Sequence, residues 1–408
     1  MRFVLIFLCL TATLFATAQR CATTTNSQSA FLLPSVVTSS SHTSTTGSGA
    51  RDTLSNEVIV VPVVIHVLFH TTVQNISDAQ ILSQLAVLNN DYRRLNADTA
   101  NTPAAFKSVA ADARIVFCLA KVDPYGRNTS GIIRKYTSAE LFLTDDEMKF
   151  SAKAGDDAWD SKRYLNIWVC NLFGRTLGYG LMPGAPADKD GVVIQYNVFG
   201  TTGVVSAPFN KGRTTTHEVG HWLGLRHPWG DAVCGDDGIA DTPPQQTNNT
   251  NCPVFPHMSN CSINSYGDMF MNFMDFTDDG CMNMFTQGQK TEMRGQFAVG
   301  NFRNSFLNSS ACDGSLAQGA PLPQDSIANR SSVFIYANPF NDQITITGKV
   351  PSDVVGKTAK IYGITGQLFM AQKLVSEKTT ITISNMPHGI YILRLEGEGK
   401  PSIFKLLR

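Results

Sequence analysis

The chain has 408 residues with 33 Lys+Arg against 33 Asp+Glu, so it carries no net field to draw in nucleic acid or an anionic membrane surface. Nucleic acid is therefore not an expected partner, and whatever binds must be recognised locally. The length exceeds one ordinary core and suits a large domain followed by a smaller one.

The chain opens like an export signal: Arg2 supplies a positive charge, residues 3–15 form an apolar run, and Ala16-Thr17-Ala18 offers a small-x-small cleavage site. The run falls short of the roughly 20 residues a spanning helix needs. No later segment is apolar enough to span, so a signal peptide over 1–18 and no membrane span are expected. Residues 19–50 are rich in Ser and Thr, as in 38–48, and are expected to be a pro-segment or leader. Cys9 leaves with the signal. Cys21, Cys118, Cys170, Cys234, Cys252, Cys261, Cys281 and Cys312 remain, an even set that suits disulfides formed in an oxidising compartment.

A globular domain is expected over 51–313. Residues 57–69 form a dense β-branched run of the kind that fills a central strand, with Pro62 arguing for a bulge or strand end. Ser77 and Asp78 can cap a helix whose apolar residues Ile81, Leu82, Leu85, Leu88 and Tyr92 recur at three and four. Strand-like runs follow at 114–122, 164–172 and 191–196, with helical stretches expected at 145–153 and 287–306. Strands interleaved with helices indicate a mixed α/β domain. Residues 314–330 have a linker composition. From 331 to 408 the texture changes to short strands at 333–335, 343–347, 358–362, 379–383, 390–395 and 402–407, separated by turns. That pattern predicts a small all-β sandwich.

The most informative stretch runs from Thr214 to His227 and contains HExxHxxGxxH. Residues four apart share a helix face, so His217 and His221 can direct imidazoles at one metal ion. Glu218, next to the first ligand, can reach the attacking water without binding the metal. Gly224 lets the chain leave the helix in a conformation costly for other residues, and His227 then returns as third ligand. Three protein ligands leave a position open, as a catalytic zinc requires.

These residues resemble the active-site signature of the metzincin metallopeptidases. Residues 271–276 resemble the Met-turn of that clan, with Met274 at the methionine position. Within the clan, HEVGHWLGLRH, the cysteine-rich insert and the run 272–286 are similar to the pappalysin family, closely over 214–286 and more loosely back to residue 57. The resemblance implies a secreted, zinc-dependent endopeptidase acting on proteins or peptides. It also implies crossed disulfides joining Cys234 with Cys261 and Cys252 with Cys281. One departure stands out: Phe276 occupies the position that is usually tyrosine, so a hydroxyl expected to stabilise the tetrahedral intermediate is missing. A non-catalytic, adhesin-like surface protein that keeps zinc for structure is the rival reading.

Several further residues carry expectations. Asp231, Asp236, Asp237, Asp241 and Thr242 crowd the loop after the third ligand, and the last four would suit calcium. Asp278 and Asp279 would place negative charge in the pocket for the residue after the scissile bond and select Arg or Lys; Ala50-Arg51 would then be a self-cleavage point. Gly178 and Tyr179 belong to a segment that could grip an extended substrate by its backbone. Cys21, beside Arg20, could put a thiolate on the zinc and hold a zymogen inactive. Alternatively Cys21 pairs with Cys312, and Cys118 with Cys170. Finally, 338–340, 363–366, 387–391 and the terminal Lys405-Leu406-Leu407-Arg408 resemble the C-terminal sorting domains of type IX secretion. That implies the bacterial type IX machinery as partner and a secreted or cell-surface location; a carbohydrate- or substrate-binding sandwich is the alternative.

Overall fold

A computed structural model describes residues 20–23, 57–262 and 266–313, and in the C-terminal part 333–336, 342–348, 350–363, 366–383, 386–387, 389–397 and 401–408. The export signal, most of the leader with Ala50-Arg51, the linker and parts of the sorting motifs lie outside these residues. Contacts divide the chain into two compact units, residues 1–319 and 320–408.

The first unit is built on one mixed sheet. Strand β1 (Ile59–Phe69) lies at its centre, because side chains on both of its faces are apolar and buried. It runs parallel to β3 (Ile115–Leu119), β4 (Ile132–Tyr136) and β5 (Leu165–Cys170). Beyond β5 come β7 (Val192–Gln195), parallel, and the short edge strand β6 (Gly178–Gly180), antiparallel. A separate two-residue pair joins β2 (Ala110–Ala111) to β8 (Phe285–Thr286). Pro62 neither ends nor bulges β1: it pairs with Cys118 in an unbroken register. Val63 accepts from Ala120 on the β3 side, so the backbone nitrogen of Pro62 points the other way. There the ladder with β5 begins only at Val63, and no donor is needed.

Helix α1 (Asp78–Tyr92) is capped by the Ser77 hydroxyl, which accepts from the Gln80 N–H. Its buried face departs from the expected apolar stripe: Leu82 is 52% exposed, while Gln80, Gln84 and Asp91 are buried. The polar residues turn inward because they bind backbone elsewhere or an ion-pair partner. Gln80 donates to the Tyr196 and Phe199 carbonyls, Gln84 to that of Gly212, and Asp91 faces Arg213. Residues 145–153 form two short 3-10 turns rather than one helix, and the closing helix α3 (Gln287–Gly295) is half its expected length, with a 3-10 turn at Asn304–Asn308. The active-site helix α2 (Arg213–Trp222) is buried along its whole length against α1 and the β6–β7 edge.

The second unit holds two sheets over a shared apolar core that includes Ile344, Ile346, Ile361, Leu393 and Leu406. One contains β9 (Val333–Tyr336), β10 (Gln343–Gly348) and β13 (Lys378–Thr382); the other contains β11 (Thr358–Gly363), β12 (Leu368–Lys373), β14 (Ile390–Glu396) and β15 (Ser402–Leu407). Strand β12 was not expected from the sequence. It is a sheet edge in which Leu368 and Phe369 are exposed, so no alternation marks it.

Candidate metal centre and cleft

Helix α2 brings His217, Glu218 and His221 to one side, and Gly224 turns the chain at φ 94° to return His227. The three Nε2 atoms converge: that of His221 lies 3.1 Å from His217 and 3.0 Å from His227. Each Nδ1 faces an acceptor, namely the Phe273 carbonyl (2.8 Å), the Leu225 carbonyl (2.8 Å) and the Asp231 carboxylate respectively. The ring protons belong at Nδ1, and three Nε2 lone pairs are left facing one another. Lone pairs so placed repel unless a cation lies between them, and nitrogens around a tetrahedral zinc stand roughly 3.3 Å apart. Burial lowers the pKa of His217 strongly and takes that of His221 down to about 3, with neighbouring imidazoles acting in the same direction. Both are therefore neutral, the form that binds metal. Among the described residues these three histidines and Cys21 form the one group of three or more His, Cys, Asp or Glu with ligand atoms within 4.8 Å of one another. The donor set fits zinc.

Met274 is fully buried beneath this site, and a Cβ at Gly220 would overlap its sulfur. The glycine between the two helical histidines is thus explained by the methionine floor. Edge strand β6 lies against the same helix. A Cβ on Gly178 would sit 3.1 Å from Glu218 Cγ, and one on Gly180 2.5 Å from the Glu218 carbonyl. Only glycines let the strand approach this closely. The Tyr179 side chain lies on the other face of β6, while the backbone of the strand faces the cleft. The tyrosine hydroxyl meets Asp146 (3.0 Å), and its ring lies 5.0 Å from the buried Lys149 ammonium, which in turn pairs with Asp146 at 2.8 Å. Burial lowers the Lys149 pKa while Asp146 opposes the shift.

Residues 20–23 lie in the cleft. Ala22 N–H donates to the Gly178 carbonyl (3.0 Å), and the Thr23 hydroxyl accepts from Gly180 N–H (2.9 Å). The Cys21 sulfur is 3.3 Å from Glu218 Oε2 and belongs to the histidine group. Burial, opposed by hydrogen bonds from Cys21 and Thr23, raises Glu218 to about 8. The alternative pairing of Cys21 with Cys312 and Cys118 with Cys170 is overturned: Cys118 is bonded to Cys312, while Cys170 is a buried thiol. Cys234 is joined to Cys261 and Cys252 to Cys281.

Arg20, which the sequence reading left without a role, fills a closed pocket. Its guanidinium donates to Asp279 Oδ1 (2.7 Å) and to the Thr277 carbonyl (2.5 Å), and stands 5.3 Å from the centre of the Phe209 ring. Asp279 is fully buried, and its Oδ2 accepts from Lys211 N–H (2.8 Å) and Arg213 N–H (3.2 Å). Asp278, only partly buried, sits beside this pocket; burial raises its pKa and the charge of Arg20 opposes the shift. The four residues expected to hold calcium are not gathered on one point. Asp241 caps α3 through Thr286 and Gly288 N–H, Asp237 binds Thr242 and Ile239 N–H, and Asp236 accepts from Gly238 N–H.

Phe276 packs edge-on to His227, centroid to centroid 4.9 Å, and Trp229 stacks on the same imidazole at 4.4 Å. The Phe276 ring itself carries no hydroxyl to present there.

Residues 149–298 match the peptidase family described as Pregnancy-associated plasma protein-A, and residues 334–407 match the secretion system C-terminal sorting domain. An extracellular metalloprotease of Colletotrichum graminicola is 30% identical over 248 residues, 58% of this chain and 75% of the relative. The chain belongs to the pappalysin family. Mature mirolysin of Tannerella forsythia, in complex with a cleaved peptide, is 51% identical, with a TM-score of 0.60 over 62% of this pappalysin and 96% of that chain. Promirolysin of the same organism is 50% identical, with a TM-score of 0.61 over 62% of this chain and 85% of that one. Extracellular metalloprotease 1 of Coccidioides posadasii is 39% identical over 137 residues, 32% of this chain. The match spans 48% of that relative's length, and about half of others like it. The sorting-domain match and the extracellular relatives mark this pappalysin as secreted or cell-surface. No described helix is long and apolar enough to cross a membrane.

Proposed function

We propose that this chain is a secreted zinc endopeptidase stored as a zymogen. The observation that carries the reading is the convergence of three imidazole Nε2 atoms with the Glu218 carboxylate beside them. Bound there, zinc supplies Lewis-acid polarisation of the scissile carbonyl and acidifies water. Gly178 and Gly180 hold the substrate backbone, as they now hold residues 22 and 23. Glu218 takes the proton of the attacking water and passes it to the leaving amine. Digestion of a peptide library with and without chelator tests the activity; no chelator-sensitive cleavage after removal of the leader defeats it. That outcome would favour the second reading, a surface-binding protein with structural zinc, to which the hydroxyl-free Phe276 gives its one specific support.

Cys21 is the zymogen switch in this reading, its sulfur closing the metal centre while Thr23 covers Glu218. Asp279 selects Arg or Lys after the scissile bond, because an arginine of the chain already occupies its pocket through a charge-assisted hydrogen bond. Cleavage before Arg51 would then release the leader. The natural substrates are extracellular proteins or peptides, and the type IX machinery is the partner of residues 334–407. Calcium belongs near Asp237, whose buried carboxyl is pushed up to about 7 by desolvation and would be relieved by a cation. A melting temperature indifferent to calcium would remove it.

A further inference from the structure

The three ligand histidines are not held alike. His217 and His221 give their Nδ1 protons to backbone carbonyls, whereas His227 gives its own to the carboxylate of Asp231. Asp231 reaches it through an unusual backbone: Gly230 and Asp231 are consecutive left-handed residues, at φ 57° and 56°. For a non-glycine that conformation costs on the order of 1 kcal/mol or more, so the loop keeps it against a local penalty. The loop is also tied down, by the Gly230 N–H to His227 carbonyl bond (2.8 Å) and, four residues on, by the Cys234–Cys261 disulfide. One face of the same imidazole is packed by Trp229, 3° from parallel, and Phe276 stands beside the pair at near right angles. His227 lies on neither helix nor strand, so nothing in regular structure fixes its ring. The carboxylate and the two aromatic rings do so instead.

We propose that Asp231 is a positioning residue for the third metal ligand, fixing the ring and its tautomer and adding negative charge opposite the cation, so that metal retention depends on it. A carboxylate behind a ligating histidine raises ligand basicity, and losing one costs about 10–100-fold in metal affinity. The inference rests on the zinc reading above.

The test is the rate at which the zinc-loaded full chain gives up its metal to excess chromogenic chelator. Asp231→Ala should release zinc about 10–100-fold faster than the parent. Asp231→Asn should fall between, because its amide oxygen still accepts from His227. Val233→Ala, an exposed change in the same loop, should match the parent, and the metal-free variants should melt at the parent's temperature. Release from Asp231→Ala within two-fold of the parent overturns the proposal while leaving the zinc reading intact. Equal acceleration in Val233→Ala overturns it too, by reducing the effect to loop disturbance. A parent that binds no zinc brings down both readings. If Asp231→Ala fails to fold, Asp231→Asn alone decides, with parent-like release as the contrary result.

Discussion

The two units bury different chemistry. Among the described residues, the peptidase unit buries Arg20, His66, Lys149, Glu218, Asp279 and Arg303, whereas the C-terminal unit buries side chains of the apolar kind such as Ile346, Ile361 and Leu393. A buried ionisable group is costly without partners, and in the first unit partners are supplied: Asp279 holds Arg20 and Cys21 faces Glu218 in the cleft, Asp146 ties Lys149 beneath β6, and Asp190 binds Arg303. Among the described residues the interior of the sandwich is apolar. The converging histidines lie in the first unit, and the second matches the secretion sorting domain.

The largest effect that sharpens this contrast is expected from Glu218→Ala, which should retain zinc and lose cleavage by about 10²–10⁴-fold in kcat/KM; full activity would remove Glu218 from the mechanism. Asp279→Ala should follow, costing Arg-directed peptides about 2 kcal/mol, or roughly 30-fold in kcat/KM, with little change for peptides bearing apolar residues there. A uniform loss across peptides would instead make Asp279 structural. Tyr179→Phe should act more weakly. Losing the hydroxyl bond to Asp146 loosens β6 from below, so KM should rise severalfold, about 1 kcal/mol, with kcat nearly unchanged; a fall in kcat alone would contradict this. The smallest effect on cleavage is expected from Ile361→Ala, which should destabilise the sandwich by about 2–5 kcal/mol and leave peptide hydrolysis as it was. Lost hydrolysis would break the division between the units.

What could be read from the sequence follows the range of the interactions. The three histidines and Glu218 share one helix and the turn after it, so their spacing alone announces them. The sandwich strands alternate because one face is buried, but in β12 Leu368 and Phe369 are both exposed and the pattern is lost. The reading failed where contacts cross the chain. Gln80, Gln84 and Asp91 look like a solvent face until the backbone of 196–212 and Arg213 arrive to bind them, and Leu82 then faces water. Arg20 and Asp279 meet across 259 positions, and nothing local marks either as the other's partner. Asp231 stands four residues after His227 in an irregular loop, where spacing carries no directional meaning. Cys118 and Cys312 are 194 apart, beyond what an even cysteine count can assign.

Metal analysis of the purified full chain, beside its His221→Ala variant, tests the central claim most directly. The account predicts about one zinc per parent chain and a clear deficit in the variant. A parent free of transition metal after purification and zinc dialysis, or a variant that binds as much as the parent, would contradict it.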